Sequence, residues 1–274
     1  MQKHFKYTVR FSGDLPVELI DSHCHLTFDE LLDDLDGVLE RSRANGIGAW
    51  ITIGTNQSQS REAVALAQRI DGIHATVGLH PHDAKEWSAE LSTELEQWVQ
   101  LQKVVALGEM GLDFYYDFSP RAQQIRAFTE QLALAARLNM PVVVHTRDAF
   151  DETLAILEDF DGQLNHVVLH CFTGTAKQAR AGLDRGYFIS FSGVVTFKNA
   201  QSVREAALCV PMDRLMIETD CPYLSPAPMR KQKVNEPALL IHTAQFLSQL
   251  KQVHLEDLAR QTSLNTQRFY DLLA

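Results

Sequence analysis

Six residues of this chain have the types and positions to hold a pair of divalent cations. His23 and His25 stand two apart in IDSHCHL, Glu109 lies in GEMGLD, His145 ends PVVVH, His170 lies in VVLHCF and Asp220 in IETD. Alternate residues of a strand share a face, so His23 and His25 aim two imidazoles at one spot while Cys24 turns away. Four imidazoles and two carboxylates make the mixed nitrogen and oxygen set that suits Zn²⁺, Mn²⁺ or Mg²⁺. Glu109 is the best candidate to bridge, which would let two ions sit about 3.5–4 Å apart. A divalent ion lowers the pKa of a bound water from 15.7 to about 7 and so supplies a nucleophile without any serine or cysteine. Asp220 could hold a metal and also take the proton of that water, while the ions neutralise charge at the attacked centre.

A single histidine behind an apolar strand is more often a hydrogen-bonded core residue than a ligand, so the case rests on where all six fall. Apolar runs without alternation (IGAWITIG, IHATVGL, VVALGE, PVVVHT, HVVLHCF, YFISFSG, RLMIETD) read as parallel strands covered on both faces. They alternate with helical patterns: DELLDDLDGVLERSRANG as one amphipathic helix ending at Gly46, about Gln57 to Ile70, around Ala89 to Leu101, about Pro120 to Asn139, ETLAILEDF, AKQARAGLDRG, AQSVREAALC and about Pro237 to Leu250. Two short helical patterns, LEDLARQ and LNTQRFYDLL, finish the chain. With the IDSHCHL strand this makes eight β/α units in 274 residues, which predicts an α/β fold, a single-domain (β/α)₈ TIM barrel over residues 18–274; an open doubly wound sheet is the alternative. Residues 1–17, ending in the breaker-rich SGDLP, read as an N-terminal extension. In such a barrel the active site forms at the C-terminal ends of the strands, and all six candidates fall there.

Other residues fall around the same mouth. Glu218 should share a face with Asp220 one layer deeper and orient a ligand histidine. His80 and His82 in GLHPH follow the third strand, as substrate contacts or as ordinary loop histidines. Arg147 is placed to pair with a phosphate, or else to make a salt bridge with Asp148 or Asp151. Phe114, Tyr115, Tyr116 and Phe118 follow Glu109 in one loop and either stack on bases or pack that loop onto the barrel. Alternation assigns Cys24 and Cys171 to the packing between barrel and helices, and Cys221 is a minor ligand candidate.

The formal charge of −10 argues against tight sequence-independent binding of nucleic acid, which needs many Lys and Arg along the phosphates, although a brief enzymatic encounter is compatible with it. No run of eighteen apolar residues and no secretory signal pattern occurs, so a soluble cytoplasmic protein without a membrane is expected. The four cysteines lack CxxC spacing and are expected as reduced thiols. No obligate protein partner is evident.

From about Glu18 onward the chain resembles the TatD family of metal-dependent deoxyribonucleases, among the amidohydrolase-like barrels. The resemblance rests on IDSHCHL, GLHPH, GEMGLDFYYD, PVVVHTRDA, HCFTG, ETDCPYL and NEP. It implies that His23, His25, Glu109, His145, His170 and Asp220 ligate two divalent ions, and that DNA is a transient substrate of a 3′–5′ exonuclease-like phosphodiesterase. Two departures stand out. Thr27 and Phe28 precede Asp29 where the family commonly has an Asp directly after the apolar residue, and MRKQKVNEP lacks the glycine of an Arg-Gly-Lys loop, which leaves the substrate-side geometry of Arg230 and Lys231 open. The rival reading is a hydrolase of an amide, lactone or aminoacyl ester. Glu109, where such relatives often carry a carboxylated lysine, favours phosphoester work. A non-catalytic scaffold is the third reading.

Overall fold

The protein is described by a computed structural model covering residues 18–116 and 118–272, so the extension expected over residues 1–17 lies outside the described residues. Eight strands alternate with helices in chain order: β1 (Leu19–Cys24), α1 (Asp29–Leu32), α2 (Leu35–Ala44), β2 (Ile47–Thr52), α3 (Gln57–Arg69), β3 (Ile73–Val77), α4 (Ala89–Trp98), β4 (Val104–Asp113) and α5 (Arg121–Leu138). The second half continues with β5 (Val142–Arg147), α6 (Phe150–Glu158), β6 (Val167–Leu169), α7 (Ala176–Leu183), β7 (Phe188–Phe191), α8 (Gln201–Cys209), β8 (Leu215–Ile217), α9 (Leu240–Lys251) and α10 (Leu255–Phe269). Each strand pairs in parallel with the next, in the order 1 to 8 without reversal, which excludes the doubly wound alternative. The ring is drawn together beyond β8, where Asp220 N donates to His23 O at 3.0 Å and His25 N to Cys221 O at 2.9 Å. The same two bonds place ligand candidates of the first and last strands side by side.

Apolar side chains form two layers. Leu19, Cys24, Trp50, Phe128, Leu132 and Cys221 belong to the large cluster between strands and helices. Ile51, Ala106, Val143, Val168 and Met216 belong to a second cluster with Phe269 and Tyr270 at the end of α10. Val143, Val168 and Met216 each precede His145, His170 and Glu218 by two, so strand alternation stacks the polar residues one layer above an apolar floor.

Local chemistry explains two of the element ends. The buried residues Gln124, Ala127, Phe128, Gln131, Leu132 and Ala135 repeat at helical spacing along α5, which stops at Asn139 in the left-handed conformation (φ 54°). A reciprocal capping box of Thr175 and Gln178 starts α7. Two helical expectations differ. The helix expected from Asp29 to Gly46 is divided at Asp34, whose φ of −129° and ψ of 39° leave helical geometry, so that Leu31 and Leu35 both reach the core. The two short C-terminal patterns instead form the single helix α10, because Thr262 and Thr266 return their hydroxyls to the helix carbonyls of Leu258 and Thr262 at 3.0 Å each. The polar stretch between the patterns is thereby buried without breaking the period. Among the described residues no helix is long and apolar enough to cross a membrane.

Candidate active site

The carboxylate of Glu109 is the centre of the barrel mouth. Its Oε1 lies 2.7 Å from His170 Nε2, 2.8 Å from His145 Nδ1 and 3.3 Å from His80 Nε2, and its Oε2 lies 3.4 Å from His23 Nε2. Asp220 Oδ1 closes the far side, 3.3 Å from His25 Nε2 and 3.6 Å from His23 Nε2. Three overlapping groups of donor atoms result: His23, His25 and Asp220; His23, Glu109 and His170; His80, Glu109 and His145. Glu109 belongs to two of them, and so does His23. The structure thus brings all six expected ligands together and adds His80 to them.

These residues fit a divalent cation. Both ring nitrogens of His23, Nδ1 of His25 and Nδ1 of His170 are buried without a hydrogen-bond partner among the described residues. A buried polar atom left unsatisfied costs about 1–3 kcal/mol, and an ion held by His23 Nε2, the nitrogen that faces Glu109 and Asp220, would remove that cost there. Burial holds His80 down to about 4 against the pull of Glu109, so its imidazole is neutral near pH 7, the form that ligates metals. His23 is lowered as well, first by burial and then by the neighbouring His170, whose ring stacks on it at 3.9 Å.

Two further carboxylates stand behind the ligands. Asp113 Oδ2 is 3.3 Å from His145 Nε2 and 3.0 Å from His82 Nε2. Glu218 Oε1 is 3.4 Å from His170 Nδ1 and accepts from Cys171 N at 2.5 Å, while its Oε2 accepts from Ser190 Oγ at 2.5 Å. Burial alone would lower His145 and His170. The Asp113 and Glu109 carboxylates outweigh it at His145, and Glu109 with Glu218 does so at His170, so both are held above their ordinary value. Burial would likewise raise Glu109, yet the surrounding histidines, His170 first, hold it well below the usual carboxylate range.

Sequence reasoning missed Asp113, having ended the strand at Glu109. The strand runs on to Asp113, with Gly111 opposite His145 and Asp113 opposite Arg147. Gly111 has φ 141° and a Cβ there would collide with the carbonyl oxygen of His145, so the glycine permits the close strand approach. The alternation Glu109, Gly111, Asp113 was the available signal. Asp21, also missed, is fully buried and accepts from Thr219 N at 2.9 Å and Thr219 Oγ1 at 2.6 Å.

The remaining candidates separate. Arg147 pairs with neither Asp148 nor Asp151; its guanidinium lies 3.9 Å over Tyr115 and 4.7 Å over Tyr116. Arg230 stands apart from the donors, 3.6 Å over the Phe197 ring and donating to Ser225 O at 2.9 Å. Phe28, at the departure in the first motif, stacks on His25 at 4.8 Å. Cys24 and Cys221 are buried in the outer core, which removes Cys221 as a ligand candidate. Cys171 is not in that core: its φ of 41° breaks the strand alternation on which the expectation depended, and its Sγ lies 3.2 Å from Ser192 Oγ.

A parallel eight-stranded barrel whose mouth gathers histidines and carboxylates around one glutamate is the framework of a metal-dependent hydrolase. Residues 20–271 match the family described as TatD related DNase, and the chain belongs to that family. It is 36% identical over 252 residues to the uncharacterized metal-dependent hydrolase YabD of Bacillus subtilis, covering 92% of this chain and 98% of that protein. It is 39% identical over 259 residues to the 3′-5′ ssDNA/RNA exonuclease TatD of Erwinia tasmaniensis, covering 93% of this chain and 100% of that protein. The crystal structure of YjjV, a TatD homolog from Escherichia coli K12, superposes with a TM-score of 0.88 at 29% identity, covering 94% of this chain and 99% of that one.

Proposed function

We propose that the chain is a deoxyribonuclease that hydrolyses the terminal phosphodiester of single-stranded DNA from the 3′ end, using two divalent ions of magnesium, manganese or zinc. The observation that carries this reading is the position of Glu109, in reach of four imidazoles that belong to different strands and loops. When bound, the ions supply a water acidic enough to ionise near neutral pH and positive charge for the phosphoryl oxygens. His23, His25 and Asp220 would hold one ion and His145 and His170 the other, with Glu109 between the two groups; His80 would add a nitrogen on the side of His145. Asp220 would take the proton of the attacking water. Its side chain is 14% accessible where that of Glu109 is 4%, and its hydrogen bond to His25 and the nearby His23 hold it ionised against the effect of burial. Asp113 and Glu218 fix the rings of His145 and His170 so that their coordinating nitrogens face Glu109.

The family supports the nuclease reading, and the exonuclease relative supports the polarity and the single-stranded substrate. The four free cysteines suit the reducing cytoplasm, where we place the protein. The test incubates metal-loaded protein with end-labelled single- and double-stranded DNA beside a panel of esters, lactones and amides, with Glu109→Ala as control. Release of 3′ mononucleotides from the single strand, abolished in the variant, is expected. Intact DNA with every divalent metal, together with turnover of an ester or amide, would establish the carbon-centre alternative instead.

A further inference from the structure

Beside the donor cluster, the segment between β4 and α5 displays three aromatic rings to solvent: Tyr115 is 57% exposed, Tyr116 40% and Phe118 59%. They are ordered against one another and against the site. Tyr116 and Phe118 lie parallel, 5.2 Å apart with 6° between ring planes, and Tyr115 meets Tyr116 edge-on at 4.8 Å. His82 meets Tyr116 at 5.6 Å and Phe118 at 4.9 Å. The same His82 contacts Asp113, which contacts His145. Physical contact therefore runs without interruption from a ligand histidine to the exposed rings.

Arg147 completes the shelf. It lies two residues beyond His145 on β5 and shares its face, about 6.6 Å further along the strand. Its guanidinium is held over Tyr115 and Tyr116. Among the described residues no hydrogen bond or ion pair engages its side chain, so its five N–H donors are held in place and unspent. A ring face and a fixed guanidinium together match one ligand chemistry, a flat base joined to a phosphate. A base of a duplex is paired at its edge and stacked on its neighbour, so it must first unpair and unstack before it can reach such a shelf.

We propose that Tyr115, Tyr116, Phe118 and Arg147 form a nucleotide subsite that holds one unpaired nucleotide next to the scissile phosphate, its base on the rings and its phosphate on Arg147. The subsite selects single-stranded DNA over duplex. This inference rests on the nuclease reading and adds to it the residues that choose the substrate.

The test is a cycle between protein and substrate. A short fluorescent oligothymidylate and the same strand with abasic residues at its 3′ end are compared for Kd by anisotropy and for KM, with metal-loaded wild type, Tyr115→Ala/Phe118→Ala and the conservative Tyr115→Phe/Phe118→Tyr. Loss of base stacking is expected to raise Kd and KM for the thymidylate by roughly 5- to 150-fold in the alanine variant. The difference between variant and wild type should collapse on the abasic strand, and the conservative variant should behave as wild type. An alanine variant that binds thymidylate as tightly as wild type, or that loses affinity equally for both strands, overturns the subsite. If wild type cleaves DNA in either case, only the subsite falls. If wild type neither binds nor cleaves the oligonucleotide with any divalent ion, the nuclease reading and the subsite fall together.

Discussion

Asp113 Oδ2 lies 3.3 Å from Nε2 of His145, the ring nitrogen turned away from Glu109. Each nitrogen of this imidazole thus has a carboxylate of its own, one toward the donor cluster and one behind it. A carboxylate behind a ligand histidine fixes its tautomer and ring orientation, and losing one typically costs 10–100-fold in metal affinity or activity. Asp113→Asn is therefore expected to weaken metal binding by about that factor, measured by competition with a chromophoric chelator, with activity recovering at high metal concentration. Unchanged affinity would show that Asp113 does not orient His145.

The pKa of His145 is held above the ordinary histidine value by the Asp113 and Glu109 carboxylates, and that of His170 by Glu109 and Glu218, each against the lowering effect of burial. Protons and metal ions compete for such nitrogens. Metal loading of the apoprotein is expected to release protons, and affinity should fall as pH is lowered. Calorimetry in buffers of different ionisation enthalpy checks this, and heats independent of the buffer would contradict it.

The fully buried Asp21 has its pKa raised to about 7 by burial, against the lowering effect of its bonds to Thr219. An unfolded chain gives up this proton at the ordinary value of 3.8. Between those two values the folded state binds more protons than the unfolded one, so this group lowers stability as pH rises from 3.8 toward about 7. Asp21→Asn keeps an acceptor for Thr219 N and cannot ionise. Chemical denaturation of metal-free protein is expected to show that the variant loses less stability than wild type on going from acid to neutral pH, by on the order of 3–4 kcal/mol. Parallel stability curves for the two proteins would refute it.

Gly111→Ala is expected to damage the site from within the strand. It places a Cβ against the His145 carbonyl at a φ of 141°, a conformation that L side chains rarely adopt. A loss of more than about 1 kcal/mol in stability and reduced metal content should appear together, by denaturation and elemental analysis. A variant of wild-type stability and metal content would mean that β4 and β5 can separate there without disturbing His145.

Much of this architecture was legible because its determinants are local. Apolar runs without alternation announced parallel strands, and the ligands sit where those runs stop. Asp113 was not legible because the two glycines of GEMGLD resemble a strand end, whereas Gly111 serves a strand that continues. Cys171 was misplaced because alternation was extended past Leu169, and a positive φ at Cys171 ends it. A shared position for Glu109 was expected from its place among the strand ends, but which further side chains reach it depends on distances between β4, β5 and the loop after β3, which no local pattern encodes. His80 entered the donor set for that reason, since GLHPH alone reads as a loop.

His23, His25 and Asp220 form one donor group. His25→Ala and His23→Ala are each expected to weaken the ion on that side more than the one at His145 and His170. Equal loss of both ions from either variant in a metal titration would contradict the division of ligands.

The most direct measurement is the metal content of purified, metal-reconstituted protein by elemental analysis, beside that of Glu109→Gln, with nuclease activity followed on the same samples. Two divalent ions per chain are expected in the wild type. At most one is expected in the variant, which keeps the shape of the side chain and loses the charge that reaches four imidazoles, and its 3′-terminal cleavage of single-stranded DNA should be abolished. A wild type that binds no divalent ion, or a Glu109→Gln variant that retains two ions and full activity, would contradict a metal centre organised on Glu109.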